Sequence, residues 1–438
     1  MAGTKYEILD PETGWLDPSI YTDQEIYRRE MTHIFGRAWL LIGHDSLIPN
    51  PGDFFHTYMG EDPVILSRGS DGSVNVLLNM CRHRGARLVR ADDGNCNSFV
   101  CSYHAWTYGL DGELEYVPGE QEVYYGELDR SKLGLKRARV ATYAGLVFAT
   151  WAEDAPSLED YLGDARWYLD MEFNRSGKGT YAVGPHKWIQ PINWKTAVDN
   201  CSDWYHVPVS HASAANAMFR VLGEPRFTHD RLFQMKGRAA FVNGHQVQYF
   251  KMPEDSLAGQ SKSIPTATAE DDTAEAVERL GEFRAKSVVL GTHSLFPNTV
   301  LGFRLAIPRG PLKTEFWHFA LASNADTPEQ QREVLRVHTA RNGVTGHFEA
   351  DDVDNWRQVS ESGLSGTYRE LGQRVNLGIG HTHTDDVFPG ALSDRFVSEN
   401  NHRHFYRRWE EFMNADSWAD IPLDPQKATY EGTAGMNE

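Results

Sequence analysis

Between residues 21 and 40 (YTDQEIYRREMTHIFGRAWL) apolar positions recur at helical spacing and then run together, which predicts an amphipathic helix leading into a strand. From about 40 to 155 the pattern shortens. DPVILSRGSDGSVNVLLNM, SFVCSYHAWTYGLDGEL and YAGLVFATWA are alternating or apolar runs cut by Gly/Asp turns, and they predict a small all-β unit. Residues 156–172 predict a helix with a proline near its start and acids in the first turn. Beyond it, strand-like segments (THSLFPNTVLGFRLAI, KTEFWHFALAS) mix with helical ones at 328–342 and 401–413, an α+β pattern. The Ser/Thr/Ala/acid-rich stretch 253–275 reads as a surface loop feeding a helix that runs to about 287, and the polar tail after 420 as loosely ordered chain. A β module at 40–155, inserted between residues 1–39 and 156–438 of a larger α+β domain, is the expected organisation.

The 438 residues carry a formal charge of −18, which argues against nucleic acid and against anionic membrane surfaces as partners. No apolar run approaches the ~20 residues that span a bilayer, and the first residues read as no signal peptide. A cytoplasmic protein is the expectation. Four cysteines are too few for a disulfide framework, whereas 18 histidines occur in clusters; that balance points to metal chemistry.

The first cluster is Cys81-x-His83, seventeen residues, then Cys101-x-x-His104. Two short pairs on two hairpin tips can converge, each supplying one thiolate and one imidazole. A tetrahedral zinc site takes the same ligands, although C-x-H is an unusual first pair for a zinc finger. The other occupant is a Rieske [2Fe–2S] cluster, with Cys81 and Cys101 on one iron and His83 and His104 on the other. Cys96 fits neither spacing and reads as a packing residue.

The second cluster lies in INWKTAVDNCSDWYHVPVSHAS, which reads as a helix of ~12 residues broken at Pro208. Asp203 and His206 are three apart, hence neighbours on one helical face. His206 and His211 are five apart, about 140° off that face in an unbroken helix, and a break at Pro208 lets His211 swing back. Two histidines with one carboxylate suit a ferrous ion with open positions. His381/His383 and His402/His404 read as structural pairs.

CRHRGARLV…CSYHAWTYGLDGEL resembles the Rieske domain of aromatic-ring-hydroxylating dioxygenase large (alpha) subunits, of the toluene, biphenyl, cumene and naphthalene type, with Ala105 where the family usually has Gly. NWK…D-x-x-H-x₄-H resembles that family's mononuclear iron motif, and the likeness runs from the 21–40 helix to Met413. It implies a Rieske domain inserted in a helix-grip catalytic domain with a curved antiparallel sheet. It implies that His206 and His211 bind iron, that Asp203 bridges His206 to a Rieske histidine of the neighbouring subunit, here His104, and that the third ligand is Asp352 of FEADDVDNW, with Asp351 and Asp354 as competitors. Asn200, Val207, Phe296 and Asn298 are candidate pocket residues by their closeness to these motifs. The implied reaction is cis-dihydroxylation of an aromatic substrate by O₂. Electrons would come from NADH through a reductase and a ferredoxin, and a small β subunit would complete an α₃β₃ assembly. With neither a G-x-G-x-x-G after a strand nor a P-loop, NADH is not expected on this chain. The alternatives are a Rieske monooxygenase or demethylase working as an α₃ trimer, and a zinc-stabilised binding protein without redox function.

Overall fold

The computed structural model describes residues 5–427 apart from 222, 224, 236, 251–272, 286–291, 301–302 and 325. The chain divides into two compact units, residues 35–155 and residues 1–34 with 156–438.

The 35–155 unit is built from three antiparallel sheets. One joins Arg139–Tyr143, Leu146–Thr150 and Leu40–His44; a second joins Val74–Leu78, Asp62–Arg68, Asp53–Met59 and Asp93–Asn95; a third joins Phe99–Val100, Thr107–Tyr108 and Leu114–Tyr116. Turn chemistry sets the register. Tyr143 opposes Leu146 across Ala144 and Gly145, both at positive φ, the two-residue turn whose twist matches that of the paired strands. The core of the unit contains Ile65, Leu77, Phe99, Trp106, Tyr108 and Leu135, and Cys81 and Cys101 are part of it.

In the second unit, helix Gln24–His33 starts at Asp23, whose carboxylate accepts from the N–H groups of Glu25 and Ile26. Helix Pro328–Asn342 starts with a full capping box from Thr327 and Gln330. A four-stranded antiparallel sheet runs Thr180–Gln190, Thr314–Ser323, Arg304–Pro308, Thr299–Val300, and a five-stranded one runs Thr292–Ser294, His245–Phe250, Gly237–Val242, Ala391–Ser393, Thr382–His383. Helix Asn400–Asn414 is buried along one face, with Phe405, Tyr406, Trp409, Phe412 and Met413 inaccessible to solvent. Beside it the buried carboxylate of Glu30 accepts from Lys195 Nζ (2.6 Å), Trp409 Nε1 (2.7 Å) and Trp194 Nε1 (2.9 Å). A buried charge is tolerated only with this degree of pairing, so Glu30 fastens the N-terminal helix to helices Trp194–Asn200 and Asn400–Asn414.

Four expectations are corrected. The 156–172 segment is two helices, Leu158–Leu162 and Ala165–Phe173, because Gly163 at φ +52° turns the chain between them. Residues 421–427 are docked rather than loose: Asp424 and Asn243 exchange two 2.7 Å hydrogen bonds, and the Lys427 N–H donates to Asp164. The third concerns Pro208. It opens the short helix Val207–Ser210 instead of ending a longer one, since the first helix closes at Asn200. Proline fits there because a first-turn N–H needs no partner within the helix. Residues 253–272 of the supposed loop lie outside the described residues; the single helix expected after it is two, Thr273–Leu280 and Glu282–Ala285, parted at Gly281 with φ +80°.

Candidate iron sites

Cys81–Ala86 and Cys101–Trp106 are two copies of one backbone design. In each, the cysteine N–H donates to the carbonyl five residues on (Cys81 to Ala86, Cys101 to Trp106, both 2.8 Å), and the N–H four residues on returns to the cysteine carbonyl (Gly85 and Ala105, both 2.8 Å). The fifth residue of each loop takes positive φ, Gly85 at +75° and Ala105 at +55°. Each loop is thereby closed on itself, with its cysteine thiol in the core and its histidine at the tip. The His83 and His104 rings come to 4.5 Å between centroids, and Trp106 stacks on His83 at 5.0 Å.

Burial raises the Cys81 thiol pKa, against a hydrogen bond from Tyr108, whose hydroxyl lies 3.4 Å from Cys81 Sγ. Burial, the His104 ring and Arg84 together lower the pKa of His83, and its buried Nδ1 has no hydrogen-bond partner. Two buried free thiols with two imidazoles, His83 with its unpartnered Nδ1 and His104 beside it, make the two-thiolate, two-imidazole donor set that a Rieske cluster requires. Cys96 stands apart, half-buried at the edge of the same core.

The second site gathers His206, His211 and Asp352 from three segments. His206 precedes and His211 follows the turn Val207–Ser210, while Asp352 sits on helix His347–Glu361. The two Nε2 atoms are 3.2 Å apart, and Asp352 reaches them at 3.6 Å (His206) and 3.3 Å (His211). Donors bound to one ion at about 2.1 Å, with angles of 90–110°, lie about 3.0–3.4 Å apart, so the cluster has the size of a metal site. Asn355 Nδ2 donates to Ser210 Oγ (3.3 Å), tying the carboxylate's helix to the histidine turn.

A carboxylate faces the outer nitrogen of each ring. Asp203 Oδ2 lies 3.3 Å from His206 Nδ1, and Asp351 Oδ2 lies 3.4 Å from His211 Nδ1. Such pairing holds the proton on Nδ1 and leaves the Nε2 lone pair for a metal. Burial works to lower the His206 pKa, but Asp203 and Asp352 outweigh it and the net shift is upward. For Asp203 burial works upward and the bond to His206 prevails, so its carboxyl falls below the usual range. The three residues Asp203, Tyr205 and His206 lie in a non-helical connection, and the Tyr205 N–H donates to Asp203 Oδ1 (2.6 Å). The Asp203–His206 contact therefore exists without the helical face from which it was expected.

The chain matches the Rieske [2Fe-2S] domain over residues 38–143 and the ring hydroxylating alpha subunit (catalytic domain) over residues 158–415. It belongs to the ring-hydroxylating alpha-subunit family. The biphenyl dioxygenase subunit alpha of Paraburkholderia xenovorans is 40% identical over 94% of each chain, and the benzene 1,2-dioxygenase subunit alpha of Pseudomonas putida 37% over 94% of each. A naphthalene 1,2-dioxygenase with indole bound in its active site superposes with a TM-score of 0.85 at 32% identity, over 95% of this chain and 96% of that one. As a member of this family the protein is a Rieske-type oxidoreductase with a [2Fe–2S] cluster and a mononuclear iron.

The four candidate pocket residues separate. The side-chain amide of Asn200 lies 3.5 Å from His206 Nδ1, and Val207 packs on the apolar group of Ala215, Phe227, Leu232 and Phe396. Phe296 is a core residue against Phe405 and Phe412, and the buried Asn298 donates to the Ala306 carbonyl. His402 and His404 are buried, while His381 and His383 share the carboxylate of Asp394 at the surface. Arg407 and Arg408 of the last helix pair with Glu411.

Sequence reading gave Asp351 only the part of a competitor for the iron. The signal for a different part was its neighbour: adjacent helical residues point about 100° apart, so one of two consecutive aspartates can face an ion while the other faces the back of a ligand. Asp203 before His206 is the same device on the other ring.

Proposed function

We propose that this chain is the large subunit of a terminal oxygenase that adds both atoms of O₂ to one face of an aromatic hydrocarbon, giving a cis-dihydrodiol. The observation that carries the proposal is the triad of His206, His211 and Asp352, in a chain whose other unit carries paired Cys/His loops. Relatives named for biphenyl and benzene dioxygenation give the substrate class. The reaction consumes the arene, O₂, two electrons and two protons.

In this reading Cys81, His83, Cys101 and His104 hold the cluster, and His206, His211 and Asp352 hold the mononuclear iron. The cluster supplies single electrons, and the iron supplies an O₂-binding centre with open positions. The protein's own work is orientation. Asp351 and Asp203 fix the two imidazoles from behind. Asp203 keeps 29% of its side chain accessible and is the bridge to the partner subunit's His104; its low pKa keeps it an anion able to accept a hydrogen bond from an imidazole on either side. A trimer of this chain with a small β subunit, served by a ferredoxin and an NADH-dependent reductase, completes the system.

The test is to purify the chain anaerobically and count iron and acid-labile sulfide. About three irons and two sulfides per chain are expected. Turnover of biphenyl or benzene under ¹⁸O₂ should then place two labelled oxygens in one product molecule. One labelled oxygen, or a demethylated product, would replace this reading with the monooxygenase one.

A further inference from the structure

Behind the iron-binding segment runs a line of buried oxygens with no part in holding metal. Tyr406 Oη lies 2.5 Å from Asp199 Oδ2, Tyr21 Oη lies 2.7 Å from Tyr406 Oη, and Tyr21 Oη lies 3.2 Å from Gln373 Oε1. Tyr21 and Tyr406 are within 1% of complete burial. Gln373 is half-buried, and its amide donates to the hydroxyl of half-exposed Ser362 (3.3 Å). At the inner end Asp199 adjoins Asn200, whose side chain touches His206.

The two phenols own one proton each, and with Asp199 ionised the Tyr21 hydroxyl can turn to Tyr406 or to Gln373 Oε1; two arrangements of the line are related by proton shifts alone. With Asp199 ionised, Tyr406 donates to Asp199 and Tyr21 donates to Tyr406. With Asp199 protonated, Asp199 donates to Tyr406, Tyr406 to Tyr21, and Tyr21 to Gln373. A proton arriving on Tyr21 from water near Gln373 converts the first arrangement into the second: the Tyr21 proton passes to Tyr406, the Tyr406 proton passes to Asp199, and no ring has to turn. One proton enters, one is stored on the carboxyl, and no bond other than O–H is made or broken.

We propose that Tyr21 and Tyr406 relay protons from solvent to Asp199, which stores them for the oxygenation site; this rests on the oxygenase reading above, whose stoichiometry requires two protons. The groups around the carboxyl suit a store. Burial pushes the Asp199 pKa up to about 6 and Asp203 adds to the rise, while His402 and the Tyr406 hydroxyl oppose it. Lys195, on the same helix, is the other charge nearby, and Glu30 holds it. Asp199 thus exchanges its proton near neutrality, where an exposed aspartate would be empty.

Infrared titration of the full-length, metal-free chain tests the store without turnover. A protonated-carboxyl C=O band is expected that titrates near pH 6 and is missing from Asp199→Asn. In Tyr406→Phe the band should shift in frequency and its midpoint should rise. Steady-state assays then test the relay. Tyr21→Phe leaves the Tyr406–Asp199 bond in place, and it should lower diol formation at least several-fold, enlarge the solvent isotope effect and divert reducing equivalents to peroxide; Asp199→Glu should restore part of what Asp199→Asn loses. Absence of the band in wild type overturns the store, and unchanged isotope effect and coupling in both Tyr→Phe variants overturn the relay. Failure of the oxygenase reading is a separate result: wild type that makes no diol, with the infrared band intact.

Discussion

The two iron sites solve the same problem by opposite means. In the 35–155 unit each Cys/His pair lies within a single short loop, and the loop's own backbone hydrogen bonds set its shape. In the other unit the three donors come from segments up to 146 residues apart, and the side-chain carboxylates of Asp203 and Asp351 set the ring orientations. A site made of self-closing loops is fixed by local sequence, whereas a site assembled across the fold depends on outer contacts that can be tuned one at a time.

The largest expected effect is at Asp352. Asp352→Ala removes one of three donors and should empty the mononuclear site, while the visible spectrum of the cluster stays as in wild type. Asp351→Asn keeps all three donors and should weaken Fe(II) or Co(II) binding by about 10–100-fold. Equal losses in the two variants, measured by metal titration, would erase the distinction between ligand and orienting group. In the other unit no such graded response is expected. Cys101→Ser should lose the cluster and lower the melting temperature together, because this thiol is also core.

That contrast governs what was legible beforehand. The pairing of Cys81 with His83 and of Cys101 with His104 could be read from spacing because each loop is its own frame, while spacing left zinc and an iron–sulfur cluster both open as occupants. His206 and His211 could also be read, but the helix assigned to them was wrong: Cys201 through His206 leave helical geometry, and Pro208 opens the short helix Val207–Ser210 rather than ending a longer one. Asp352 was reachable only through resemblance, since an acidic run such as Glu349–Asp354 looks like a solvated face until the fold buries Glu349 and Asp352. The role of Asp351, the core position of Phe296 and the line through Tyr21, Tyr406 and Asp199 depend on contacts between elements far apart in sequence. No periodicity encodes those.

A histidine pair outside both sites sharpens the comparison. His318 Nε2 and His338 Nδ1 are 2.8 Å apart and buried, as close as a metal-binding pair. The basic groups acting on them are Arg304 and His186 and, for His338, Arg341. Burial first, then neighbouring positive charge, lowers both pKa values, that of His338 to about 4. The folded state therefore favours neutral rings. The stability this lends is present above the unfolded value of about 6.5 and is lost as pH falls toward 4, on the order of 2–3 kcal/mol. His338→Gln should flatten the fall in melting temperature between pH 7 and pH 5, and the variant should keep its full iron content. An undiminished acid sensitivity would move its origin elsewhere.

The smallest effect should come from Ala105. It occupies the loop position that Gly85 fills in the other copy, at φ +55° where a side chain is disfavoured by about 1–2 kcal/mol. Glycine would relieve that strain but adds about 0.4–1 kcal/mol of unfolded-state entropy to be lost on folding. The two terms nearly cancel, so Ala105→Gly should raise unfolding free energy by about 1 kcal/mol or less, with the cluster spectrum unchanged. The reciprocal change, Gly85→Ala, loses the entropy term in the favourable direction and gains the strain, so it should be slightly destabilising. Nothing lies within contact distance of a Cβ at Gly85, so backbone conformation alone decides the sign there. Opposite signs for the two substitutions, read from denaturant midpoints, would show that the loops are equivalent frames. A large loss in either would mean that one loop leans on the rest of the unit, and the self-closing account of this site would fail.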